Sequence, residues 1–158
     1  MLSPDRKYVA MNENWTVNRD EDVERAQAVW DALAAGDPAP VLESQARGVI
    51  FDNGPGAGPW RHTEGQAEFL DMFGAFLPIF GESFRQVGTC IFANEQFAIT
   101  LVGETGEHAG SGDVFDNRAI YISRLDADGK TDRVWTVDLD SEDMERFWQG
   151  LWNPVEAP

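Results

Sequence analysis

The sequence predicts an α+β domain in which a curved antiparallel sheet wraps around one long apolar helix. Three observations carry this. Helical periods are confined to the first half and the last dozen residues, and four strand-like runs follow one another between them. A central helix carries six large apolar side chains. Segregated helices and strands of this kind make a layered α+β domain, and 158 residues suit a single domain that buries roughly two-thirds of its unfolded surface.

Residues 1–18 show no sustained period and read as an N-terminal extension or arm; residues 19–153 form the domain. A helix is expected at 19–35. Asp20, Glu21 and Asp22 crowd its positive end, and Val23, Ala26, Trp30, Leu33 and Ala34 recur at helical spacing. Gly36-Asp37-Pro38 stops it, and a short helix follows around Pro40–Gln45. Val49-Ile50-Phe51 is a strand that runs into a Gly/Pro loop, 52–59. Thr63 and Gln66 match a capping box that opens the long helix of Phe69, Leu70, Phe73, Phe76, Leu77 and Phe80, whose last turn Pro78 weakens. Strands are expected at 83–93, 96–103, 114–125 and 131–139, the last two joined by a turn at Asp128-Gly129. Asp140 or Ser141 caps a final helix with Phe147, Trp148, Leu151 and Trp152.

Composition excludes several functions. A formal net charge of −16 with only two lysines argues against binding nucleic acid or an anionic membrane. The single cysteine, Cys90, rules out an intrachain disulfide, and its apolar neighbours predict a small buried side chain rather than a nucleophile. No signal-peptide core or membrane-length apolar run is present, so the expected location is cytoplasmic. No paired-histidine or Glu-x-x-His pattern points to a metal.

Four features carry a resemblance to a known superfamily. They are the opening helix ending in Ala34-Ala35-Gly36-Asp37; the strand and loop Val49-Ile50-Phe51-Asp52-Asn53-Gly54-Pro55 followed by Trp60-Arg61-His62-Thr63-Glu64-Gly65; the strand Ala119–Leu125 leading to Asp128-Gly129-Lys130; and Val134-Trp135-Thr136-Val137-Asp138. In this order, over about residues 20–140, the chain resembles the nuclear-transport-factor-2-like (SnoaL-like) superfamily. That resemblance implies a cone-shaped, cystatin-like α+β barrel, cofactor-independent, and a homodimer or homotrimer through the outer face of the sheet. Ketosteroid isomerase, scytalone dehydratase, limonene epoxide hydrolase, polyketide cyclases, a lignin diarylpropane lyase and non-catalytic modules share the fold, so the resemblance implies no single reaction.

The candidate chemistry lies at strand ends and loop junctions. Asp52 or Asn53 stands where the isomerase-like pattern has its general base, with Asn53 in the closer alignment; the two face opposite sides of the strand. An Asp or Asn before Gly-Pro is also ordinary turn chemistry. Asp138 closes the last strand and, facing an apolar cavity, would serve as an acid or base. Asp116 and Arg118 share one face of a strand, Asn117 and Tyr121 the other. The Asp-x-Arg order reverses that of limonene epoxide hydrolase, and Phe51 and Asn53 replace its Tyr and Asn, which disfavours epoxide hydrolysis. Tyr121 could donate to a developing oxyanion. His62, at the mouth of the long helix, and His108, in a loop, could titrate near neutrality. Trp30, Trp60, Phe73 and Trp135 belong to an aromatic set that serves as core or as a stacking wall for a flat ligand.

The expected function is therefore a lyase or isomerase acting on a small hydrophobic, aromatic or polycyclic substrate. A carboxylate, Asp138 or Asp52, moves the proton, and His62, Tyr121 or Arg118 polarises an oxygen. Asn53 and Asn117 join the aromatic residues in binding. The alternatives are a non-catalytic binding or interaction module and a polyketide cyclase.

Overall fold

The computed structural model describes residues 19–152. The expected arm, residues 1–18, and the last residue of the expected domain lie outside that range. Four helices and six strands follow in the order α1 (Asp20–Ala35), α2 (Ala39–Ser44), β1 (Gln45–Asp52), β2 (His62–Glu64), α3 (Gly65–Phe80), β3 (Arg85–Ala93), β4 (Phe97–Glu107), β5 (Val114–Leu125), β6 (Thr131–Asp138) and α4 (Ser141–Trp152). The strands form one sheet in the order β2-β1-β6-β5-β4-β3. It is not wholly antiparallel: β1 runs parallel to β6, with one helix, α3, and four strands between them in the chain. No helix among the described residues is long and apolar enough to cross a membrane.

Several local expectations are corrected. Thr63 is not a helix cap; it sits in β2 opposite Phe51, with its hydroxyl buried and unpartnered. The helix starts two residues later, where Glu68 folds back to accept the N–H of Glu64 at 2.7 Å. Gln66 is thereby released for another task, donating to the carbonyls of Leu42 and Gln45 at 2.8 and 3.1 Å. Cys90 is exposed rather than buried, because β3 carries a bulge there and Cys90 takes a left-handed φ of 50°. β4 continues to Glu107 instead of ending at 103, so a stretch read as loop is strand. Asp140 precedes α4, but its carboxylate binds Arg118. Leu70 and Leu77 lie on the exposed side of α3.

The interior divides along α3. Its first half sends Phe69 and Phe73 toward α1, α2, β1 and β6, where Val41, Val49, Phe51 and Val134 are buried. Its second half sends Phe76 and Phe80 toward Phe115, Met144 and Trp148. The second cluster is a continuous solid of rings, with Phe80–Phe115 centroids at 5.1 Å and Phe115–Phe147 at 5.2 Å. The first is looser.

Candidate functional site

The looser half encloses a cavity of about 90 Å³. Trp30 from α1, Phe51 from β1, and Phe69 and Phe73 from α3 form much of its apolar wall, with Asn53, Gln45, Gln86 and Tyr121 among the polar groups. Strand alternation explains who faces in. On β5 Phe115, Asn117 and Ala119 are buried while Val114, Asp116 and Arg118 are exposed; Tyr121 continues the inward row. Trp30 is fixed by donating its indole N–H to Thr100 Oγ1 at 3.1 Å and by meeting Tyr121 edge to face at 5.1 Å.

Behind the cavity a polar seam crosses the inner face of the sheet. The Tyr121 hydroxyl donates to Glu104 Oε1 at 2.5 Å, and Gln86 Nε2 donates to the same oxygen at 2.5 Å and to the Tyr121 oxygen at 3.2 Å. Asn117 Nδ2 donates to Glu104 Oε2 at 2.9 Å and to Asp138 Oδ1 at 2.7 Å. Asp138 Oδ2 accepts the backbone N–H of Gly56 at 2.6 Å. Burial pushes the Glu104 carboxyl up from its ordinary value; the bonds from Tyr121, Asn117 and Gln86 oppose this, and the charge of Asp138 adds to it. Burial, then the neighbouring Glu104, hold the Tyr121 phenol well above its ordinary value. Tyr121 is thus a neutral hydroxyl at neutral pH, and Glu104 the group able to change charge beside it.

The sequence candidates separate into three groups. Tyr121, Trp30, Asn53 and Phe73 line the cavity. Asn53 accepts from Thr136 Oγ1 at 3.2 Å and donates to the Trp60 carbonyl at 3.0 Å. Asp138 and Asn117 are buried in the seam but do not line the cavity. The remainder lie elsewhere. Asp52 and His62 are paired across β1 and β2 on the opposite side of β1 from Phe51, with His62 Nδ1 2.8 Å from Asp52 Oδ1 and Nε2 3.1 Å from Glu64 Oε1. Arg133 donates to Asp52 Oδ2 at 3.0 and 2.6 Å and stands 5.2 Å from the Trp135 ring. Arg118 points outward to Asp140. Trp60 packs against Phe76 and Trp148 in the filled aromatic cluster. The reason is one of phase: Asp52 alternates with Phe51 and Asn53, Trp135 with Val134 and Thr136, and Arg118 with Asn117, and the second of each set faces in.

Sequence reasoning missed Glu104 and Gln86. The signal for Glu104 was present: Thr100, Val102 and Glu104 alternate on one face of β4, and all three are buried. Ending the strand at 103 hid it. Among the described residues no group of three His, Cys, Asp or Glu side chains is placed to hold a metal ion.

No protein-family model and no curated protein matches the chain by sequence. Solved structures do match by shape. Bal32a, from a soil-derived mobile gene cassette, superposes with a TM-score of 0.71 at 17% identity, over 82% of this chain and 97% of that one. A protein with a cystatin-like fold from Xanthomonas campestris gives 0.68 at 19% identity, over 80% and 96%. IdmH from Streptomyces antibioticus, proposed to be a polyketide cyclase, gives 0.61 at 17% identity, over 80% and 96%. The fold is nuclear-transport-factor-2-like. Its SnoaL-like branch includes proteins named for polyketide cyclisation, and at these identities the likeness is one of architecture.

Proposed function

We propose that this chain is a cofactor-independent acid–base catalyst, a lyase or isomerase, acting on a small flat hydrophobic substrate held in the cavity. The observation that carries the reading is the short bond between Tyr121 and Glu104. Tyr121 is the one titratable side chain among the described residues lining the cavity, and its hydroxyl rests on a buried carboxyl. A phenol with so high a pKa is a poor base alone. Backed by an ionised Glu104, its oxygen takes a proton from the substrate as its own proton passes to Glu104 Oε1. The reverse transfer protonates the substrate at a second position, or protonates a leaving oxygen, and restores the pair. When Glu104 carries the proton and donates it to the Tyr121 oxygen, the tyrosine hydrogen turns to a substrate oxygen and stabilises developing charge. Asn117 and Asp138 orient Glu104 from behind, and Trp30, Phe51, Phe69 and Phe73 supply the stacking wall.

Screening small aromatic ketones and diols for turnover tests this. Tyr121→Phe and Glu104→Gln should each lower kcat/KM by about a hundredfold or more, the range of general acid–base contributions. Full activity in both variants, with folding intact by circular dichroism, would remove the relay.

A non-catalytic ligand-binding module is the second reading. The largely apolar wall favours it, since among the described residues only one ionisable side chain reaches the cavity directly. Saturable binding of aromatic probes without turnover of any would select it. The polyketide cyclase reading draws support from the likeness to IdmH and uses the same Tyr121–Glu104 pair on a larger substrate.

A further inference from the structure

Gln45, at the junction of α2 and β1, also lines the cavity, away from the Tyr121–Glu104 seam. The residue is 8% exposed, and its side-chain oxygen Oε1 is buried with no hydrogen-bond partner. Native proteins seldom leave such a group unpaired, because its lost hydration goes uncompensated. The backbone holds it in place: Gln66 clamps the carbonyls of Leu42 and Gln45. Gln45 is also far from Tyr121 along the sheet. It lies opposite Thr131 of β6, whereas Tyr121 lies opposite Thr136. Five residues of strand separate those two positions by about 16 Å at the backbone. Aromatic side chains, Phe51, Phe69 and Phe73 among them, wall the same cavity.

We propose that Gln45 is a ligand-binding residue, and that the ligand is a single-ring hydrophobic molecule bearing a hydrogen-bond donor, a hydroxyl or an amine, at the end remote from Tyr121. The donor meets Gln45 Oε1, the ring is covered by the aromatic wall, and the reacting oxygen lies at Tyr121. This deepens the acid–base reading and rests on it only in placing the substrate in the cavity. The chemistry of the two ends differs: Tyr121 is tied into the seam through Glu104 and Gln86, whereas Gln45 Oε1 waits for a donor. A purely apolar ring would leave that oxygen as it is, and gain nothing from it.

Isothermal titration with two phenols of matched shape tests the proposal. 4-(2-Hydroxyethyl)phenol ends in a hydroxyl where 4-propylphenol ends in a methyl. The relative affinity of the first over the second should fall at least tenfold on passing from the natural chain to Gln45→Leu, and equally in Gln45→Met, which keeps the length of the side chain. An unchanged ratio in both variants overturns the proposal, as does the absence of saturable binding of either phenol to the natural chain. The readout is binding without turnover. A chain that discriminates through Gln45 yet transforms nothing keeps this inference and loses the acid–base reading.

Discussion

Asp138 accepts the backbone N–H of Gly56 at 2.6 Å, joining the end of the last strand to a turn 82 residues earlier. The approach is so close that a Cβ on Gly56 would lie 2.4 Å from Asn117 Nδ2 and 2.8 Å from Asp138 Oδ1. From the other side the Trp148 indole N–H donates to the Gly56 carbonyl at 3.1 Å. One short 3-10 turn, Pro55–Ala57, is therefore gripped by β6, β5 and α4, and the network that orients Glu104 is anchored to the helix that closes the aromatic half of the core.

Removing the anchor should be costly. Asp138→Ala leaves the Gly56 N–H and one Asn117 N–H unpaired in the interior, and a loss of about 3 kcal/mol is expected for a charged acceptor with two buried donors. Asp138→Asn, which keeps one acceptor oxygen, should lose less. Urea unfolding followed by tryptophan fluorescence measures both. A change below about 0.5 kcal/mol for Asp138→Ala, the level of an ordinary surface substitution, would mean that the turn is held by Trp148 alone.

A second prediction concerns the cavity wall. A Cβ added at Gly88 would stand 2.5 Å from Trp30 Cγ, so the indole must shift, which disturbs both its bond to Thr100 and its place in the cavity wall. Gly88→Ala is expected to destabilise the fold by about 1–3 kcal/mol, the usual range for overpacking, and to weaken binding of aromatic probes. Melting temperature and probe affinity should fall together; an unaltered affinity would place Trp30 outside the binding wall.

Glu104 sets a pH dependence whose sign runs opposite to that of a salt-bridged acid. Because burial raises its pKa above the ordinary glutamate value of 4.5, the folded chain holds a proton that the unfolded chain has released. Stability therefore falls as pH rises from that ordinary value through the raised one. Glu104→Gln removes the ionisation while keeping the shape. Its melting temperature relative to the natural chain should increase as pH rises above the ordinary glutamate value, and level off once the raised one is passed. A pH-independent difference between the two would show that Glu104 ionises in the fold as it does in the unfolded chain.

The architecture was legible because it depends on periods. The 3.6-residue recurrence of Phe69, Phe73, Phe76 and Phe80 and the four consecutive strand runs survive an error of a few residues at any boundary. The site was less so, because a shift of one residue on a strand exchanges its faces. Asp52 and Asn53 are adjacent, and only one of them reaches the cavity. Glu104 was lost through a strand end placed at Gly103, although the Thr100, Val102, Glu104 alternation continues past it. The capping role read at Thr63 and Gln66 failed for another reason: an additional edge strand, β2, occupies Thr63, and such a three-residue strand leaves no periodic trace. The isolation of Gln45 Oε1 depends on tertiary packing and has no sequence signal.

The outer ion cluster makes the last prediction. His62 has its pKa raised above the ordinary 6.5 mainly by Asp52 and then by Glu64, while Asp52 is held below its ordinary 3.8 by Arg133 first and His62 second. The histidine contribution is complete below its ordinary value and disappears as pH rises through the raised one; that of Asp52 is present above its ordinary value and disappears as pH falls through the lowered one. The cluster accordingly supports the β1–β2 edge best between those limits, in mildly acidic solution. Following the His62 ring protons by NMR should give a midpoint above 6.5 in the natural chain, moving down in Asp52→Asn. Arg133→Gln should act in the other direction, since it removes a cation that competes with the imidazolium for Asp52. An identical midpoint in all three proteins would mean that solvent screens the contact completely, and that His62 is an ordinary surface imidazole.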